Sequence, residues 1–126
     1  LIPDDLKYSK EHEWVKLEGD IAVVGITDYA QGELGDVVFI ELPKVGSKVT
    51  FMQPFGTIEA VKAVADLFSP VSGEVIEVNK SIEDDAGIVN SDPYGDGWIM
   101  KVKVGDKAEL DQLLDAAGYQ DLIGKG

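Results

Sequence analysis

Apolar positions fall mostly in short runs with a period of two, the pattern of strands buried on one face. Trp14-Val15-Lys16-Leu17 and Ile21-Ala22-Val23-Val24-Gly25-Ile26 flank Glu18-Gly19-Asp20. Glycine and aspartate favour a turn there, so the segment predicts a hairpin. Residues 37–42 predict a strand that Pro43 stops, because proline has no N–H to donate to a sheet. Two further runs, 55–61 and 64–68, meet at Lys62 and are followed by a Pro70-Val71-Ser72-Gly73 break. Glu74-Val75-Ile76-Glu77-Val78 is read as an alternating strand, and residues 98–104 supply the last one.

Helical spacing is confined to short pieces. Leu110, Leu113, Leu114 and Ala117 recur at i, i+3, i+4 and i+7, which predicts a C-terminal helix over about 106–118. Asp106 with Glu109 makes an acidic capping box, Gly118 sits where a C′ glycine belongs, and the apolar stripe suits covering a sheet edge or face. Thr27 is placed to cap a short helix over 27–34 that ends at Gly35. Many short strands between glycine and proline turns predict a mostly β sandwich or barrel. No linker divides the chain, so one domain over 1–126 is expected.

Composition narrows the function. The 126 residues are 44% hydrophobic, enough for a continuous core, and no run approaches the length of a membrane span. A soluble protein with no secretory signal is expected, placed in the bacterial cytoplasm, or in the mitochondrial matrix for a eukaryotic chain. There is no cysteine, which excludes disulfides, thiolate metal sites and thiol nucleophiles. The formal net charge of −13 disfavours nucleic acid as a partner. It serves solubility, steering toward basic protein surfaces, or both.

Catalytic constellations are scarce. His12-Glu13-Trp14-Val15-Lys16 lacks the second histidine of a zinc-protease helix. One histidine without cysteine builds neither a metal cluster nor a triad, so His12 reads as structural or hydrogen-bonding. No phosphate-binding glycine loop is present. Glu83-Asp84-Asp85 and the 92–97 segment read as solvated acidic loops rather than calcium sites, with Gly95 and Gly97 as turn residues. The standout is Lys62 itself. It lies where two strand-like runs meet, at a predicted hairpin tip that an enzyme can reach while reading the rigid strands beside it.

The 56–73 segment resembles the attachment hairpin of lipoyl and biotinyl domains, in which the turn lysine is acylated and a Pro-x-x-Gly break follows. Biotin carriers flank that lysine with methionines, whereas Val61 and Ala63 stand here. Blocks along nearly the whole chain resemble the H-protein family of the glycine cleavage system. They include Tyr8-Ser9-Lys10-Glu11-His12-Glu13-Trp14-Val15, Gly25-Ile26-Thr27-Asp28-Tyr29, Leu34-Gly35-Asp36-Val37-Val38-Phe39 and Asn90-Ser91-Asp92-Pro93-Tyr94. Ala60 departs from the serine usual before Val-Lys.

The resemblance implies a lipoyl/biotinyl-domain-like flattened β-barrel, a barrel-sandwich hybrid with short helices and a C-terminal helix. It implies lipoic acid attached covalently to Lys62, within a hairpin over about 55–70, on a carrier that is not itself an enzyme. The implied role is to shuttle the aminomethyl group of glycine. The implied partners are glycine decarboxylase (P protein), the aminomethyltransferase (T protein), dihydrolipoamide dehydrogenase (L protein) and a lipoylating enzyme. A monomer is expected, with no nucleic acid and no membrane. Glu13 and Asp66 match the family's pocket for the loaded arm, and no metal is implied. Three other readings stay open: an H-like relay of lipoyl groups to other complexes, a hydrolase using His12 with a carboxylate, and an unmodified structural module.

Overall fold

The computed structural model describes residues 2–124. The ends of the expected 1–126 unit, residue 1 and residues 125–126, lie outside the described residues. In chain order the strands are β1 (Lys7–Tyr8), β2 (Glu13–Glu18), β3 (Ile21–Ile26), β4 (Val37–Glu41), β5 (Lys48–Val49), β6 (Pro54–Ala60), β7 (Val64–Phe68), β8 (Gly73–Val78) and β9 (Met100–Val104). The helices are α1 (Asp28–Leu34), α2 (Lys80–Asp84), α3 (Ile88–Ser91), a 3-10 turn over Lys107–Gln112, and α4 (Ala116–Gly124). A six-stranded sheet runs β1-β2-β3-β9-β8-β5, and a three-stranded sheet runs β4-β6-β7. Every pairing is antiparallel.

Local chemistry explains the elements that match expectation. Gly19 takes φ 63° in the β2–β3 turn, a left-handed value that costs glycine nothing. Thr27 caps α1 by accepting from Ala30 N–H, and Gly35 closes the helix at φ 80°. Val15, Val24, Ile58, Leu67, Val75 and Val102 belong to one buried cluster spanning both sheets. A second cluster, Leu6, Tyr8, Trp14, Val23 and Tyr119, packs with Leu114 and Ala116 of the C-terminal segment. Adjacent residues therefore serve different cores, with Val15 in the first and Trp14 in the second. That leaves the start of β2 buried on both faces.

Expectations in three segments need correction. The single helix over about 106–118 is two elements. Asp106 does cap, accepting from Ala108 N–H, but only a 3-10 turn follows. Leu114 then leaves helical geometry to form a bridge with Tyr8, exchanging bonds of 2.7 and 2.8 Å with β1, so the segment does extend a sheet edge. The apolar stripe is split between the two clusters, Leu110 and Leu113 serving one and Leu114 the other. One straight helix does not serve both. Gly118 consequently lies inside α4, where its N–H donates to the Asp115 carboxylate. Glu109 does not complete the capping box; its carboxylate takes both the N–H and the hydroxyl of Ser72. In β8 alternation from buried Val75 turns Ile76 outward, 40% exposed, and a register shift between Val75 and Glu77 then keeps Glu77 outward too and returns Val78 to the core, so the run does not alternate polar and apolar as expected. The Glu83-Asp84-Asp85 run is solvated as expected, but Glu83 and Asp84 ride on α2 rather than a loop, with Ile82 buried beneath.

Candidate functional site

Lys62 lies in the turn of the β6–β7 hairpin, bounded by the Glu59–Val64 pair and by a 2.8 Å bond from Ala60 N–H to Ala63 C=O. A second bond, Val61 N–H to Asp36 C=O at 2.9 Å, ties the tip to the segment between α1 and β4. The turn is therefore fixed by its backbone while its side chains stand in solvent, with Val61 73% and Val64 67% exposed. Lys62 is exposed and joins no ion pair among the described residues. Its aliphatic stem lies along Gly35, where an added Cβ would come within 2.8 Å of Lys62 Cε. Glycine at the α1 terminus thus serves twice, as the helix stop and as the space beside the lysine stem.

A cleft of about 390 Å³ opens beside this tip, between α1, the 11–13 segment and β7. Ile26, Tyr29, Leu34, Ile58, Leu67 and Phe68 give it apolar walls. Glu11, Glu13, Glu33 and Asp66 bring four carboxylates to the same lining. The two residues expected to form an arm pocket, Glu13 and Asp66, are therefore brought together, though in unlike settings. Asp66 is exposed on β7. Glu13 is 1% exposed, because β2 is covered on both faces at this point. Its Oε1 accepts the Ser9 hydroxyl, and its Oε2 accepts Phe68 N–H at 3.3 Å. Burial pushes its carboxyl up to about 8, against the opposing pull of the Ser9 and Phe68 bonds.

His12 lines the cleft too, at the unusual backbone value φ 74°. Its Nδ1 is 2.8 Å from the Tyr119 hydroxyl, and its ring contacts Tyr29 and Tyr119. The hydrogen-bonding role expected of it is what the geometry provides. Sequence reasoning gave no role to Ser9, Tyr29 and Tyr119, although the first two lie in the blocks that carry the resemblance; only the Tyr-Ser-x-x-His-Glu spacing hints that Ser9 serves Glu13, four residues on. Among the described residues no group of histidines and carboxylates could hold a metal ion.

Two stacked antiparallel sheets with a lysine alone at a hairpin tip define a lipoyl-domain-like fold. Its relatives are specific. The family model for glycine cleavage H-protein matches residues 6–125. A glycine cleavage system H protein of Chlorobium limicola is 59% identical over 126 residues, covering 98% of each chain. Another, from Symbiobacterium thermophilum, is 54% identical over 125 residues, covering 99% of this chain and 98% of that one. The crystal structure of a glycine cleavage system H protein from Mycobacterium marinum matches at a TM-score of 0.87 and 39% identity, covering 98% and 99% of the two chains. The chain belongs to the glycine cleavage H-protein family.

Proposed function

We propose that the chain is the lipoyl-bearing carrier of the glycine cleavage system, with Lys62 as the attachment point. It passes the aminomethyl group of glycine from the decarboxylase to the aminomethyltransferase, and dihydrolipoamide dehydrogenase restores it. The observation that carries this reading is the juxtaposition of an exposed tip lysine with an apolar, carboxylate-lined cleft joined to it through Gly35 and α1. Apolar walls suit an aliphatic arm, and carboxylates suit the amine at its end, so the residues present fit the group. When bound, lipoic acid supplies the two sulfurs that hold a one-carbon amine and cycle between dithiol and disulfide.

The chain's own residues do the rest. Lys62 offers its amine to a modifying enzyme that reads the fixed hairpin. The cleft walls exclude water from a docked arm. Glu13 handles charge: raised to about 8, it is largely neutral at pH 7 and avoids burying a lone anion. An ammonium docked beside it favours loss of the Glu13 proton and formation of a charge-assisted hydrogen bond. Asp66, at the exposed edge, guides the same charge with less force.

Intact-mass analysis of protein from lipoate-proficient cells tests the attachment, with the lipoyl increment expected on the Lys62 peptide. Incubation of the lipoylated protein with glycine and the decarboxylase tests the cargo. A lipoylated protein that accepts no aminomethyl group would overturn the glycine-cleavage role and favour a lipoyl relay instead.

A further inference from the structure

Three hydroxyl and imidazole groups meet behind the cleft. The Tyr119 hydroxyl, reaching in from α4, lies 2.8 Å from His12 Nδ1 and 2.7 Å from Thr27 Oγ1. Thr27 Oγ1 also accepts from Ala30 N–H at 3.1 Å. Three proton arrangements fit these distances, and one, with His12 Nδ1–H and Thr27 both donating to Tyr119, leaves the Tyr119 hydroxyl proton buried with no acceptor among the described residues. Two others remain. In one, His12 Nδ1–H donates to Tyr119 and Tyr119 donates to Thr27. The Thr27 hydroxyl proton then has no acceptor among the described residues, although Thr27 is 0% exposed. In the other, Thr27 donates to Tyr119 and Tyr119 donates to the Nδ1 lone pair, so both buried hydroxyl protons are satisfied and the ring proton on Nε2 faces the open cleft. Buried donors left unpaired are costly, which decides for the last arrangement.

The chain Ala30 N–H to Thr27 O–H to Tyr119 O–H to His12 Nδ1 leaves the ring proton on Nε2. Each member polarises the next, so the relay is cooperative. We infer that Tyr119 is a positioning residue of the cleft, holding His12 as the neutral Nε2–H tautomer so that no cation stands beside a docked amine. The functional half of this inference rests on the carrier reading above; the tautomer half does not. Neutrality is not automatic here. Glu11 from the same segment and Glu33 from α1 both favour a charged imidazole, and Glu13 and Asp66 share its cleft. Burial opposes them and comes out ahead. A donor aimed at Nδ1 adds to that opposition, since a protonated ring has no lone pair there to accept it. Tyr29, packed against the ring, brings a phenol that is itself pushed up and stays neutral, and Tyr119 is pushed up to about 12. A neutral His12 gives the cleft one donor, Nε2–H, and sets no positive charge against the acidic groups that line it.

The experiment is nitrogen NMR of the single imidazole in the full-length, unlipoylated protein, so its outcome does not depend on the arm. Wild type should show the Nε2–H tautomer alone near neutral pH; a spectrum dominated by Nδ1–H would overturn the inference. Tyr119→Phe keeps the ring stacked on Tyr8 (centroids 4.7 Å apart) but removes both bonds. It should give mixed tautomers and a titration midpoint above that of wild type; an unchanged tautomer and midpoint would overturn the role of Tyr119. Thr27→Ser retains the relay and should behave as wild type, which guards against a phenylalanine variant that folds poorly. In loaded, lipoylated protein, the ratio of amine release at pH 6 to that at pH 8 should rise roughly fivefold in Tyr119→Phe, the effect of one added like charge across a partly screened cleft. A normal ratio with altered tautomers would overturn the functional half while leaving the tautomer assignment standing.

Discussion

The hairpin tip and the floor of the cleft are neighbours built on opposite rules. At the tip the backbone is bonded and the side chains are free, and Lys62 stands in solvent between two exposed valines. At the floor the side chains themselves are bonded: Glu13 is held by Ser9 and Phe68, and His12 by Tyr119. In the proposed carrier the attachment point must be reachable by several enzymes, so stability there has to come from groups other than the lysine. The proposed resting place for a reactive cargo must be organised before the cargo arrives, because ordering it afterwards would consume binding energy. The difference predicts that substitutions at the tip abolish modification without unfolding the chain, whereas those at the floor alter stability, pH response and protection.

The largest effect belongs to Lys62→Arg. Lipoylation should be lost completely, with a melting temperature close to wild type, since an exposed side chain away from the core contributes little. Mass analysis and thermal denaturation read both outcomes. A lipoyl increment on Lys48 or Lys80 in the variant, or a fall of many degrees, would erase the contrast.

Next comes Glu13, in two measurements. Its folded carboxyl titrates at about 8 against a reference of 4.5, so the folded protein binds the extra proton between those values. Stability from this group is therefore fully present below about 4.5, falls as pH rises through the window, and levels off above about 8. The loss is on the order of 3–5 kcal/mol. Glu13→Gln should flatten that slope in denaturant titrations between pH 5 and pH 8; a variant with the wild-type slope would show that the carboxyl titrates normally. In the loaded carrier, Glu13→Ala should lower the docked population roughly ten- to a hundredfold, the equivalent of a lost charge-assisted bond of about 1.5–3 kcal/mol, and speed spontaneous amine release by up to that factor, since the rest of the arm still contacts the cleft. Ammonia and formaldehyde release without transferase measures it.

Asp66→Asn sharpens the comparison from the exposed side. A solvent-screened carboxylate contributes about 0–1 kcal/mol, so release should quicken by no more than roughly fivefold and the difference should shrink with added salt. An effect as large as that of Glu13→Ala would place Asp66 among the organising groups. Smallest is the influence of the whole surface: with a net charge of −13, association with the aminomethyltransferase should slow by a few-fold as salt rises, while the fold is unchanged. A salt-independent rate measured by stopped flow would leave the charge a solubility device.

The tip was legible from the residues because everything that makes it is local. Two strand-like runs, a lysine between them and the break at Pro70-Val71-Ser72-Gly73 are all written within residues 55–73. The Thr27 cap, the Asp106 cap and the β2–β3 turn were legible for the same reason. The floor was not. Glu13 occupies a strand position that, by alternation with Trp14 and Val15, could face either way; its burial follows from packing on both faces of β2. The helices α2 and α3 escaped notice because each offers only one buried apolar residue, too few for a period.

What the sequence determined by itself is the mostly β character, the hairpin lysine, the absence of protein thiols and the strong negative charge, all properties of neighbouring residues or of composition. The tertiary structure alone decided which residues separated by long stretches of chain meet: His12, Thr27 and Tyr119 at one hydroxyl, Tyr8 with Leu114 at the sheet edge, and Glu109 with Ser72 across 37 residues. It also divided the C-terminal apolar stripe between two cores and so broke one predicted helix in two. The physical reason is range. Propensity, capping and turn chemistry act over a few residues, whereas burial and the protonation states it imposes depend on every element that closes over a site.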